Sequence, residues 1–192
     1  DAASYAQELV RTIDAFKKVD EHFFIISAGL DTHAPNTGTL YKNSSTFLRE
    51  MEQSVPGIFQ RIDGFASHSY PNANFSEDPL FTKRGGIVAF KDEVVLLRWL
   101  KRAHVPIFIT ETGWELGKVS EEKAAVFYRY AFENVWSQQD IVAVTPFLLN
   151  GHGSNFSGFS LVHADGTPTK MFETLVQLSK VKGEPILVKE KE

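Results

Sequence analysis

Val105-Pro106-Ile107-Phe108-Ile109-Thr110, continued by Glu111-Thr112-Gly113-Trp114, is the stretch on which the fold of this chain turns. Ile107 to Thr110 are apolar or β-branched without alternation, as in a strand covered on both faces. A carboxylate follows at once. A core strand has no structural use for Glu at its end, so Glu111 is either a chemical group or a solvated strand-end residue, and position alone leaves both readings open.

Working outward, three comparable runs flank this one: Phe23–Gly29, Ile62–His68 and Ile141–Leu148. Amphipathic stretches separate them. Ser4 to Lys18 carries Tyr5, Leu9, Ile13 and Phe16 at helical spacing, and Ser45 to Ser54 carries Phe47, Leu48 and Met51. Val88 to Arg102 carries Val94, Leu97 and Trp99. Ser120, followed by Glu121 and Glu122, is an N-cap for a helix with Ala124, Phe127, Tyr128, Ala131 and Val135 on one face. Met171 to Ser179 is the last helix.

Strand centres near Ile26, Phe65, Ile109 and Val144 recur about every 40 residues, too far apart for hairpins and suited to helix-linked parallel strands. An open doubly wound sheet usually brings a glycine-rich phosphate loop, and neither GxGxxG nor GxxxxGK[ST] occurs here. A closed (β/α)8 barrel needs about 250 residues, and this chain has 192. The expected class is therefore α/β: a TIM-barrel-like parallel (β/α) half-barrel of about four strands and five helices. It spans residues 1–180, with a charged tail over 181–192.

Composition removes several function classes. Twenty basic residues stand against 24 acidic ones, for a net charge of -4, and no basic block is present; neither nucleic acid nor an anionic membrane surface is expected as a partner. With no cysteine, a disulfide framework, a thiolate zinc site and a cysteine nucleophile are excluded. No apolar run approaches the roughly 18 residues of a membrane span. Asp1-Ala2-Ala3-Ser4-Tyr5 lacks a starting Met and a signal-peptide core, and the expectation is a piece of a longer protein.

In a parallel barrel, function collects where strands end and loops begin. Those ends carry Asp31, then His68 and Tyr70, then Glu111 and Trp114, then Asn150 and His152. Asp63 belongs to the opposite end, where a structural role is expected. His22, His33, His104 and His163 show no ligand spacing and read as surface or capping residues, so no metal site is expected.

Pro106-Ile107-Phe108-Ile109-Thr110-Glu111-Thr112-Gly113-Trp114, preceded by Gly64-Phe65-Ala66-Ser67-His68-Ser69-Tyr70-Pro71 and followed by Pro146-Phe147-Leu148-Leu149-Asn150-Gly151, resembles strands six to eight of the clan of retaining glycoside hydrolases that includes cellulases, mannanases and β-xylosidases. The resemblance spans nearly the whole chain, from a helix-four-like start to a helix-eight-like end near Lys180. It implies that Glu111 is the strand-seven nucleophile and that Tyr70 orients its carboxylate. His68 and Asn150 would line the sugar site, and Trp114 and Phe147 would offer stacking faces unless they are core aromatics. Phe147 stands where the clan often carries Trp. No cofactor is implied.

One element of that pattern is absent. Retaining hydrolysis uses two carboxyl groups about 5 to 5.5 Å apart. The clan's acid/base Glu follows an Asn at the end of strand four, and no Asn-Glu pair occurs in these 192 residues. Asp31 and Glu115 are nearby carboxylates, but neither occupies the acid position. The chain alone is expected to be inactive or nearly so, completed either by its missing N-terminal half or by a second copy as a homodimer. A reading of a different class is a non-catalytic half-barrel that binds a glycan or a protein partner.

Overall fold

The computed structural model describes residues 1–38, 40–81, 85–100 and 104–180. The tail expected over 181–192, part of the loop before Gly85 and the end of the helix expected to reach Arg102 lie outside the described residues.

Among the described residues there are three parallel strands and six α-helices, where about four and five were expected. The strands are β1 (Phe65–His68), β2 (Ile107–Thr112) and β3 (Ile141–Pro146), hydrogen-bonded in that order. Phe65 pairs with Ile107, and Ile107 with Ile141. The helices are α1 (Ala2–Val19), α2 (Ser44–Ser54), the single-turn α3 (Ile58–Arg61), α4 (Ala89–Trp99), α5 (Glu121–Tyr130) and α6 (Lys170–Gln177). The additional helix is α3, which follows Gly57 at φ 83°, a left-handed conformation that glycine adopts at little cost.

The segment expected to be the first strand lies beside β1 in parallel but pairs only at isolated points, Ile26 with Gly64 and Asp31 with His68. Backbone bonds such as Asp63 N to Ile25 O at 2.8 Å and Ser27 N to Gly64 O at 3.3 Å join them, and side chains supply the rest. The Asp63 carboxylate accepts from Ile25 N at 2.8 Å, and Ser27 Oγ accepts from Ala66 N at 3.1 Å. Backbone donors satisfied in this way do not need a continuous ladder. Asp63 also pairs with Lys17 at 2.8 Å, which ties α1 to the start of β1 and fits the structural role expected of it.

Local signals account for the helix ends. Asp1 caps α1 by accepting from Ser4 N at 2.8 Å, Asn43 caps α2 through Ser45 N at 3.0 Å, and Ser120 caps α5 through Lys123 N at 3.3 Å. The helix expected to run to Val135 leaves α geometry after Tyr130 and continues as a π-helical turn over Ala131–Val135. The helices bury apolar stripes: Ala2, Ala6, Leu9 and Ile13 from α1, and Leu48 and Met51 from α2. With Ile107 and Ile109 of β2 and Phe65 of β1 they form one core.

The other face of the sheet is open. Phe108, between Ile107 and Ile109, points away from that core and meets Phe24 edge-on at 5.6 Å. Phe24 is 39% exposed and Val142 on β3 is 36% exposed. A sheet with helices on one side and half-exposed aromatics on the other has the layering of part of a barrel wall.

Candidate active site

Irregularities at the strand ends position the site. The pairing between β1 and β2 shifts between Ser67 and His68, so that His68 lies opposite Glu111. On β2 the register with β3 shifts between Ile109 and Thr112. Ile109 and Thr112 are both buried while Thr110 and Glu111 between them are half-buried, a break in strict alternation that a bulge permits. Glu111 is thereby turned to the open face at the mouth of the sheet.

Three predicted residues meet there. Tyr70 Oη donates to Glu111 Oε2 at 3.0 Å, and His68 Nδ1 lies 3.5 Å from the same oxygen, too far for a well-formed hydrogen bond. Both approaches fall on Oε2; among the described residues no hydrogen bond reaches Oε1. Burial pushes the Tyr70 phenol well above its ordinary pKa, and the neighbouring Glu111 charge pushes it further, so it stays a proton donor toward the carboxylate. Burial also holds the His68 imidazole below its usual pKa, against the opposing pull of Glu111 and Asp31. A neutral imidazole is the form expected at pH 7.

An aromatic cluster backs the pair. Phe75 stands 5.1 Å from the Tyr70 ring, Phe159 6.1 Å and Phe147 6.4 Å. Phe147 thus lies beside Tyr70. Phe75 and Phe159 were not foreseen. Phe75 follows Asn74 in a loop where both residues are left-handed, at φ 67° and 57°, a conformation uncommon without glycine. Glu115 N donates to Phe75 O at 3.0 Å, and Trp114 Nε1 donates to Glu77 O at 2.8 Å. No sequence motif signals this docking of the loop onto the segment after β2.

Two other predicted residues are placed differently. Trp114 is 1% exposed, with Tyr128 at 4.9 Å, Phe127 at 5.7 Å and Trp136 at 6.2 Å. Its ring belongs to the core, the second of the two readings left open for Trp114. Asn150 is exposed, and its side-chain oxygen accepts from His152 N at 3.0 Å; that contact shapes a turn. His152 is held to Val162 O at 2.8 Å. Of the two other carboxylates, Glu115 pairs with Lys118 at 2.7 Å and Asp31 accepts from His33 N at 2.8 Å. Among the described residues no group of three or more His, Asp or Glu side chains is arranged to hold a metal ion, and no helix is long and apolar enough to cross a membrane.

A GH128 (subgroup II) endo-β-1,3-glucanase from Sorangium cellulosum superposes with a TM-score of 0.59 at 14% identity, over 91% of this chain and 62% of that one. An endo-β-1,4-glucanase from Xanthomonas axonopodis pv. citri gives 0.54 at 18% identity, over 91% and 54%. A family 51 α-L-arabinofuranosidase from Bifidobacterium longum gives 0.55 at 10% identity, over 92% and 39%. The fold is glycoside-hydrolase-like. At these identities the likeness concerns the fold alone, and the chain spans less than two thirds of the length of each of these proteins. No protein-family model matches the sequence, and no curated protein does.

Proposed function

We propose that this chain is the C-terminal half, strands five to eight, of a retaining glycoside hydrolase barrel, with Glu111 as its nucleophile. The hydrogen bond from Tyr70 to Glu111 at the mouth of parallel strands is the observation that carries the reading. The glycoside-hydrolase-like fold supports it.

In this mechanism the Glu111 carboxylate attacks the anomeric carbon as the glycosidic C–O bond breaks, and the leaving oxygen takes a proton from a second carboxyl group. Water, deprotonated by that second group, then attacks the same carbon and releases Glu111. Tyr70 holds one carboxylate oxygen and leaves the other to attack, while its phenol stays protonated. His68 lines the sugar site as a neutral imidazole, and Phe147 contributes an apolar face beside Tyr70.

The second carboxyl group comes from outside the 192 residues, so the chain alone is inactive or nearly so. Its open sheet face, with Phe24 at 39% and Val142 at 36% exposure, is covered either by an N-terminal half-barrel or by a second copy in a homodimer. The test is an assay of the full-length gene product on aryl β-glycosides beside its Glu111→Gln variant. Turnover in the wild type and a loss of at least about a thousandfold in the variant are expected for a missing nucleophile. Equal activity removes Glu111 from the mechanism. Glycan binding without turnover by the full-length product favours the non-catalytic reading instead.

A further inference from the structure

A cavity of about 630 Å³ lies outside the site around Glu111, between α2, α4 and the loop at Thr32 and His33. Its volume is in the range of small-molecule sites. Glu93, in the middle of α4, lines it and is 4% exposed. Among the described residues neither carboxyl oxygen of Glu93 has a hydrogen bond of good geometry, although the Ser67 hydroxyl is near enough to favour its charged form, and the buried hydroxyl of Thr32, in the same wall, has none. Buried polar atoms without partners are rare, because leaving one unmatched costs about 1 to 3 kcal/mol, and more for a charged group.

This cavity is separate from the Glu111 site. Ser67 and Ser69 are fully buried under the helices, and Ser69 Oγ accepts from Phe90 N of α4 at 3.3 Å. His68 and Tyr70, the alternate residues, turn to Glu111. Glu93 sits on α4, on the Ser67 side of β1, so it is not the acid missing from the glycosidase reading.

The chemistry of the unmatched atoms selects the ligand. The cavity wall holds three oxygens without partners among the described residues, the two of the Glu93 carboxyl and the Thr32 hydroxyl, which can donate as well as accept. A sugar hydroxyl brings a single donor and no charge. A primary ammonium brings three donors and no acceptor, together with the charge that a buried carboxylate lacks. Ala89, Leu96 and Trp99 provide apolar wall for a hydrocarbon stem, and the Arg49 guanidinium already lies over the Trp99 ring, 4.7 Å from its centre. We propose that the cavity between α2 and α4 binds a small molecule bearing a primary ammonium on an apolar stem, with Glu93 as the counter-charge and Thr32 as a second acceptor. Burial that holds the unliganded Glu93 carboxyl well above its ordinary pKa agrees with a site that waits for a cation.

The experiment is calorimetric titration of the 192-residue chain with n-butylammonium at pH 7, with n-butanol as the neutral analogue. Saturable binding is expected, with n-butanol weaker by about tenfold or more, the scale of a hydrogen bond to a charged group. Glu93→Gln should weaken n-butylammonium by the same factor, Thr32→Val by about threefold, and Glu111→Gln should leave binding unchanged. Thr32→Val removes only a hydroxyl and keeps the test open if Glu93→Gln fails to fold. Absence of saturation, equal binding of the alcohol, or unchanged binding in the variants at residues 93 and 32 overturns the proposal.

Discussion

Tyr70 and Glu111, 41 positions apart, are joined by a 3.0 Å hydrogen bond from phenol to carboxylate. Each lies at or just beyond the end of a parallel strand, and the pairing of His68 with Glu111 brings the two ends together. The bond ties the protonation of the phenol to the charge of the acid.

Removing the Glu111 charge therefore makes Tyr70 easier to ionise. In Glu111→Gln the Tyr70 phenol should titrate at lower pH than in the wild type, although burial keeps it above an exposed tyrosine. Ultraviolet absorbance of the 192-residue chain between neutral and high pH reads this directly. In the full-length product, Tyr70→Phe should lower kcat/KM by about 10- to 100-fold, the loss of one hydrogen bond to a charged group. An unchanged value would take Tyr70 out of the site.

His68 gives a pH dependence of opposite origin. Burial lowers its folded-state pKa, so below its unfolded value of about 6.5 the unfolded chain binds more protons than the folded one. Stability should fall as pH drops from there through the folded pKa, and His68→Gln should flatten that part of the profile. Glu111 and Asp31 oppose the burial effect. Glu111→Gln should therefore move the imidazole midpoint, read by proton NMR, further down.

Gly29 is where that imidazole rests. A Cβ added there would lie 2.1 Å from His68 Cδ2, well inside contact distance, so Gly29→Ala must displace the ring or the backbone. The expected result is a destabilisation of about 1 to 3 kcal/mol and a His68 midpoint nearer the ordinary value as the ring moves toward solvent. Denaturant melts and NMR titration of the same variant check both.

Trp114 tests the separation of core from site. Trp114→Ala should destabilise the chain by about 3 to 5 kcal/mol, since the ring is 1% exposed and its N–H holds Glu77 O at 2.8 Å. Trp114→Phe keeps most of the packing and should cost about 1 to 2 kcal/mol through the unmatched carbonyl. A change in glycan affinity without a change in stability would return Trp114 to the sugar-binding set.

Glu93 sets the stability profile between acid and neutral pH. Its folded pKa is pushed up to about 8, first by burial and then by Asp92, with Ser67 acting the other way; His33 and Arg49 share the cavity wall. Because the folded state holds the proton more tightly, stability should fall as pH rises from the unfolded value of about 4.3 toward the folded one. Glu93→Gln should remove that fall and be the more stable chain by a few kcal/mol near pH 8. Parallel melting curves of the two chains across pH 5 to 8 would show this as a widening gap in Tm.

Part of this was legible in residues close together in the chain. Ser120 before Glu121 and Glu122 marked the start of α5, and the unbroken apolar run before Glu111 marked β2 as an inner strand with a carboxylate at its mouth. The incomplete first strand was not legible, because part of its pairing is taken by the side chains of Asp63 and Ser27, whose bonding depends on where β1 lies. The burial of Trp114 was equally hidden: stacking on a sugar and packing on Tyr128 call for the same residue. Trp99, expected on the apolar face of its helix, is 70% exposed, since a spacing defines a stripe without saying how far the neighbouring elements reach over it.

The sequence by itself determined the parallel α/β order, the helix caps and the candidacy of Glu111, because spacing, capping chemistry and strand-end position are local properties that act over a few residues. Only the tertiary structure decided which groups surround that carboxylate. The bulge opposite His68, the docking of Phe75 and Phe159 around Tyr70, and the unmatched Glu93 on the other side of β1 all depend on contacts between segments tens of residues apart. A linear pattern carries no record of those contacts, since their energies arise only when packing excludes water.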